Sequence, residues 1–296
     1  MINRIRSNAD LYSILVLILL SIIWGSSFIL IKKGLIAFSP LQVGAIRVFF
    51  AAVVLLPFAL KYYKKYFNEY KFLFLIFAIL SNLSPAILFA LAESGISSSL
   101  AGILNATTPI FTFVVGALFF GTAKRVNQIF GLILGIIGSF LLIVIGSSGE
   151  IGNINYYTLY VILATLFYGI SANMVKKYFH SINPLALTSL AFSTILPISI
   201  IILIATDTLE VIKTNDLAYQ SLFYLFVLGA VGTAFALILF NRVIQNTSAV
   251  FASTVTYLIP IVAVIWGVLD NEPIYLIHIL GMIVIIVGIY FVNYKK

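Results

Sequence analysis

IIWGSSFILIKKGLIAFSPL at residues 22–41 returns, altered but readable, as LFYGISANMVKKYFHSINPL at 166–185. Gly25 falls on Gly169, Lys32-Lys33 on Lys176-Lys177 and Pro40-Leu41 on Pro184-Leu185, all at an offset of 144. Further along, Pro109 matches Pro260 and Gly116 matches Gly267 at an offset of 151. Gly131 and Gly138 match Gly281 and Gly288 at 150. Landmarks held at a nearly constant offset indicate an internal duplication, with a first unit over residues 1–146 and a second over 147–296.

Both copies are apolar runs ended by a lysine pair. Across the chain 62% of residues are hydrophobic and only 9% charged, against roughly 25% charged in a soluble domain. Too few charges remain to build a water-facing surface, so lipid is the solvent for most of the exterior. A helix needs about 20 apolar residues to cross hydrocarbon. Spans are expected near 11–31, 42–60, 72–93, 97–120, 128–146, 156–175, 185–205, 220–241, 247–269 and 274–294. The first run is too long for a cleaved signal peptide and shows no small-residue cleavage site, so it reads as a retained span. The fold class expected is an all-α integral membrane protein of ten transmembrane helices. There are no cysteines, which excludes disulfides, thiolate zinc sites and cysteine nucleophiles.

Five spans per unit is an odd number, so the second copy enters the bilayer from the opposite side and the repeats are inverted. Inverted repeats underlie many secondary transporters, because two similar halves can exchange roles and open the centre to either side in turn. Lys and Arg set the orientation. With the N-terminus inside, thirteen of the seventeen fall on inner segments, among them Arg4, Arg6, Lys61, Lys64, Lys65 and Lys71. Lys32, Lys33 and Lys213 fall outside, and Arg47 lies within a span. Both termini are then cytoplasmic and the location is a cell membrane. The net charge of +8 reflects this inner excess and predicts no nucleic-acid partner.

The chain resembles the EamA type of the drug/metabolite transporter superfamily over its whole length. The resemblance rests on WGSSF at 24–28, Pro40 spaced seven before Arg47, the small-residue run ending in Pro109, ASTVTYLIP ending at Pro260, Glu272, and the Gly281 to Gly288 spacing. It implies a transporter of amino acids or small metabolites, commonly an exporter. The family often places a Glu before the last span of each repeat. Glu272 fits the second copy, but the first has Thr122, so no essential role is assigned to Glu272.

Polar side chains are costly in hydrocarbon and tend to face the bundle interior or a water-filled path. Spans 5 and 10 carry almost none and read as scaffold. Spans 1, 3, 4, 6, 8 and 9 hold most of the rest. The substrate cavity is expected to be lined by Trp24, Ser27, Asn82, Asn105, Thr108, Pro109, Tyr168, Asn173, Thr256, Tyr257 and Pro260. For each single Ser or Thr, helix–helix hydrogen bonding is the competing role. Arg47 lies about two turns from the outer end of span 2. Glu93 sits at a similar depth, and the two are expected to pair as an outer gate.

Three functions compete: a secondary transporter of small organic solutes, a solute channel and an intramembrane enzyme. H-E-x-x-H, G-x-S-x-G, Walker A patterns and pairs of mid-span carboxylates are absent, so neither catalysis nor direct use of ATP is expected. Nothing resembles a filter loop. The reading is a secondary transporter, with no cofactor or metal, for neutral or amphipathic solutes such as amino acids. Substrate, direction, coupling ion and oligomeric state (monomer or homodimer) are left open by the sequence.

Overall fold

A computed structural model describes residues 2–121 and 155–293, with 130, 131, 133, 134, 137 and 138 between them. Most of the expected span 128–146, with Thr122, lies outside the described residues. All regular structure described is helical. In chain order the helices are α1 (Ile2–Gly34), α2 (Pro40–Ala78), α3 (Ser84–Glu93), α4 (Ser98–Asn105), α5 (Thr108–Phe119), α6 (Tyr157–Tyr178), α7 (Pro184–Ala205), α8 (Thr208–Thr214), α9 (Ala218–Gly229), α10 (Ala236–Asn246), α11 (Ala249–Ser253), α12 (Ile259–Leu269) and α13 (Leu276–Asn293). Among the described residues, seven helical runs are long and apolar enough to cross a membrane. Large apolar side chains such as Phe72, Ile201, Phe223 and Leu269 point outward, as a lipid-facing surface needs.

The longest run, Pro40–Glu93, has 54 residues and would reach about 81 Å if straight. It doubles back instead, because Gly44 lies against the backbone of Ile87. The sequence suggests a charged linker between two spans at 42–60 and 72–93. The linker residues are themselves helical in conformation, and the reversal is made without a Gly or Pro between Pro57 and Pro85.

The two halves use the same local devices at the repeat offsets. Ser39 caps α2 and Asn183 caps α7, each followed by Pro at the first helical position, where its missing N–H is no loss. Ser97 caps α4 through the Leu100 N–H, and Ser248 caps α11 through the Phe251 N–H. A π-helical turn at Ile79–Leu83 separates α2 from α3, and another at Ala230–Phe235 separates α9 from α10. Each wide turn re-aims the side chains beyond it. The helix ahead of Pro109 breaks at residues 106–107, and the one ahead of Pro260 tightens into a 3-10 turn at Thr254–Tyr257.

Packing repeats the pattern with the halves exchanged. A Cβ on Gly25 of α1 would meet Val262 of α12 at 2.5 Å; one on Gly169 of α6 would meet the backbone of Phe111 and Thr112 in α5 at 2.8 Å. Residues 25 and 169 correspond, as do 111 and 262. Backbone cannot rotate away as a side-chain tip can. Gly169→Ala is therefore expected to destabilise the protein by about 1–3 kcal/mol, measured as a lower thermal midpoint in detergent.

Candidate functional site

The centre of the bundle holds a cavity to which both halves contribute at matching positions. At an offset of 144, Trp24, Ser27, Phe28 and Ile31 of α1 correspond to Tyr168, Ser171, Ala172 and Val175 of α6, and all eight line it. At 151, Ser81, Asn82, Phe89 and Asn105 correspond to Gly232, Thr233, Phe240 and Thr256, and these eight line it as well. The aromatic walls are exchanged between halves. Trp24 meets Phe240 edge-on with ring centres 4.9 Å apart, and Tyr168 stacks on Phe89 at 5.9 Å. The two aromatic contacts thus pair residues that correspond at the repeat offsets.

Arg47 breaks that symmetry. It is the one charged side chain among the described residues lining the cavity, and residue 191, its counterpart at 144, is Ala. Its Nε donates to Thr233 Oγ1 at 2.7 Å, and its guanidinium also interacts with the Tyr168 hydroxyl. Thr233 in turn donates to Leu228 O, five residues back, a carbonyl that the π turn leaves within reach. The indole N–H of Trp24 donates to Gly232 O at 2.9 Å across the cavity wall.

Seven of the eleven residues expected to line the cavity do so: Trp24, Ser27, Asn82, Asn105, Thr108, Tyr168 and Thr256. Pro109, Asn173, Tyr257 and Pro260 are not among its lining. Pro109 and Pro260 are buried. Asn173 is engaged in helix packing, donating to Thr112 O at 2.9 Å and Gly169 O at 2.8 Å. At 3.6 residues per turn Thr256, Tyr257 and Pro260 would lie near one face of a regular helix. The 3-10 turn has 3.0, which rotates Tyr257 and Pro260 away from Thr256. The expected Arg47–Glu93 ion pair is not formed either: Arg47 binds Thr233, while Glu93 is buried nearby.

Beyond Ile31, an ion-pair cluster joins three segments. Lys32 Nζ lies 2.7 Å from Asp270 and 2.9 Å from Glu272, and Lys33 pairs with Asp270. Glu272 also accepts from the N-terminus of α4: Ser98 N and Oγ reach Oε1 at 3.1 and 2.7 Å, and Ser99 N and Oγ reach Oε2 at 3.0 and 2.6 Å. The free N–H groups of a helix start favour an anion there. Local sequence aims the carboxylate. Asn271 takes the left-handed conformation (φ 58°), its N–H bonding Val268 O while the Glu272 N–H bonds Gly267 O. This is a Schellman end, which turns the chain back on α12 and presents Glu272 to α4. The DNEP stretch at 270–273 carries that signal, and Gly121, the counterpart of Asn271 at 150, also takes the left-handed conformation (φ 72°).

Burial alone would raise the Glu272 pKa, but hydrogen bonds from Lys32, Ser99 and Ser98 outweigh it and hold the group down to about 2. Hydrogen bonds from Lys32 and Lys33 lower Asp270. A carboxylate depressed in the folded state stabilises it fully above the ordinary value, near 4.5, and progressively less as pH falls towards about 2. The contribution of this cluster to thermal stability is accordingly expected to be flat from pH 8 to 5 and to decline below about 4.5. Glu272→Gln should flatten the acid limb of that profile.

A helical bundle with a lipid-facing exterior and a central polar-aromatic cavity shared by two related halves defines a membrane transporter. The EamA-like transporter family model matches the chain twice, over residues 11–144 and 155–294, and the chain belongs to that family. It is 25% identical to the uncharacterized transporter YoaV of Bacillus subtilis over 281 residues, 93% of this chain and 94% of that one. It is likewise 25% identical to a probable amino-acid metabolite efflux pump of Salmonella typhimurium, covering 92% of each. A solved structure described only as "Crystal structure of protein" superposes with a TM-score of 0.69 at 12% identity, over 95% of this chain and 96% of that one; it speaks to the fold alone.

Proposed function

We propose that the protein is a secondary transporter that exports amino acids or similar small amphipathic metabolites by alternating access. Its ten spans would form two inverted units, 1–146 and 147–296, with both termini cytoplasmic in a cell membrane. The observation that carries the reading is the exchanged pairing around the cavity, Trp24 with Phe240 and Tyr168 with Phe89. Two halves that make equivalent contacts in swapped roles can adopt two related arrangements, and each arrangement opens the centre to one side.

The chemistry of the cavity supports the solute class. The cavity has a volume of about 90 Å³ and is lined from both halves. Arg47 would hold a carboxylate by charge-assisted hydrogen bonds, Asn82, Asn105 and Thr256 would meet polar groups, and Trp24 and Tyr168 would bracket an apolar side chain. The efflux-pump name of the Salmonella relative agrees with this class.

Among the described residues the two ends of the bundle are unequal, which supports a preferred resting arrangement. At the Glu272 end, Lys32 and Lys33 bind carboxylates. Their repeat partners are less firmly held: Lys176 donates to the carbonyls of Gln245 and Thr247, and Lys177 lies over the Phe120 ring at 5.2 Å. On the positive-inside count the ionic end faces outward, so it would act as the outer seal.

The test is efflux from inverted and right-side-out vesicles preloaded with a panel of radiolabelled L-amino acids. Saturable flux of at least one member, reduced by Trp24→Ala and Asn105→Ala at equal protein levels, is expected. Passive, non-saturable flux of many solutes would instead favour a channel.

A further inference from the structure

Glu93 closes α3 at 8% exposure, and among the described residues neither of its carboxylate oxygens accepts a hydrogen bond. One turn earlier on the same face, Phe89 lines the cavity. The charged groups that act on Glu93 are Arg47 of α2, Lys32 of α1 and Glu272 beyond α12. On α6, Tyr168 interacts with Arg47, and Tyr157 packs on Gly95 just past Glu93. Glu93 thus sits between the cavity and the ionic cluster.

Both cations near it are engaged elsewhere. Arg47 donates to Thr233, and Lys32 is held by Asp270 and Glu272. An isolated ionised carboxylate without a partner is very costly inside a protein, whereas the neutral acid is far cheaper to bury. Parting the ionic cluster would change every element of that balance. It would free Lys32, admit water and let Arg47 approach.

We propose that Glu93 is a proton-binding site that gates the ionic end of the bundle: it is a carboxylic acid while the ionic cluster is closed and a carboxylate when the cluster is open. On opening, the carboxyl O–H bond breaks, its proton passes to water as hydronium, and the carboxylate left behind is neutralised by Lys32 and Arg47. Reclosing needs a proton back from the water on that side, so each closure takes one proton from it. The proton leaves to and returns from the same side, so the site makes opening for solute depend on the pH of that side and carries no net proton across. This rests on the transporter reading for its role in flux, but the protonation and its link to opening can be tested without any solute.

Two measurements test it. The first is the infrared difference spectrum, wild type minus Glu93→Gln, of purified protein in lipid vesicles at pH 7. A carboxylic-acid C=O band missing from the variant is expected; its absence would show Glu93 ionised and overturn the proposal. The second uses Ser27→Cys in the cysteine-free chain, labelled by a membrane-impermeant thiol reagent applied to each face in turn from pH 6 to 9. Labelling of Ser27→Cys alone, divided by that of Ser27→Cys/Glu93→Gln, is expected to rise several-fold with pH on the Glu272 face. Glu93→Gln, which mimics the acid, should stay closed throughout, and Glu93→Asp should restore a pH response with a displaced midpoint, which a misfolded variant would not. A ratio that stays constant with pH would overturn the coupling even if the infrared band is present. A pH response confined to the opposite face would refute it too. Flux assays that find no transported amino acid would count against the transporter reading alone.

Discussion

Glu272→Ala is expected to cost about 1.5–3 kcal/mol of stability, the loss of hydrogen bonds to a buried charged group, with Lys32 itself about 36% exposed. The loss exceeds that of a surface bridge because five donors converge on this carboxylate: Lys32 Nζ and the N–H and hydroxyl groups of Ser98 and Ser99. Removing it leaves the helix start without its anion, while Lys32 keeps Asp270 at 2.7 Å. Thermal unfolding in detergent measures the effect. Glu272→Gln, which keeps an acceptor oxygen, should lose less. In membranes the same variants should raise the reaction of Ser27→Cys with reagent added from the Glu272 face. A variant as stable and as closed as the wild type would mean that the cluster forms but holds nothing together.

Arg47→Met should reduce transport of carboxylate-bearing solutes about ten- to a hundredfold, corresponding to a lost hydrogen bond to a charged group of about 1.5–3 kcal/mol. Methionine fills the space of the arginine stem without its charge, so Val48 and the cavity wall keep their packing. Flux of radiolabelled L-amino acids at matched protein levels gives the measure, and binding affinity should fall more than folding stability. In a double-mutant cycle, Arg47→Met and Glu93→Gln should be additive in thermal stability, because the two side chains form no ion pair in the closed arrangement. They should be coupled in flux, where the open arrangement brings them together. Additivity in both readouts would separate Arg47 from Glu93 altogether.

The membrane class, the duplication and most of the cavity were legible because each rests on pattern alone. The repeat offsets carry Trp24 onto Tyr168 and Ser27 onto Ser171, and polar residues in apolar spans announce themselves by their cost. What escaped was conformation that breaks the regular helix. Tyr257 and Pro260 were misplaced because a 3-10 turn intervenes, and Asn82 and Thr233 gained equivalent positions through π turns that no periodicity announces. Glu272 was set aside because its repeat position holds Thr122. Its place in the ionic cluster belongs to one end of the bundle, and among the described residues no ion pair stands at the other. Pairing Arg47 with Glu93 followed from depth along the helices, which could not foresee Thr233 brought close by the π turn.

Exchange between two arrangements is tested most directly by distances across the two ends of the bundle measured in one sample. Spin labels at the exposed positions Ile36 and Leu276 span the ionic end, and labels at Phe119 and Tyr178 span the opposite end. The cysteine-free chain allows each pair to be introduced alone. Glu272→Gln should lengthen the 36–276 distance and shorten the 119–178 distance in protein reconstituted in lipid. Both distances moving in the same sense, or neither moving, would contradict alternating access.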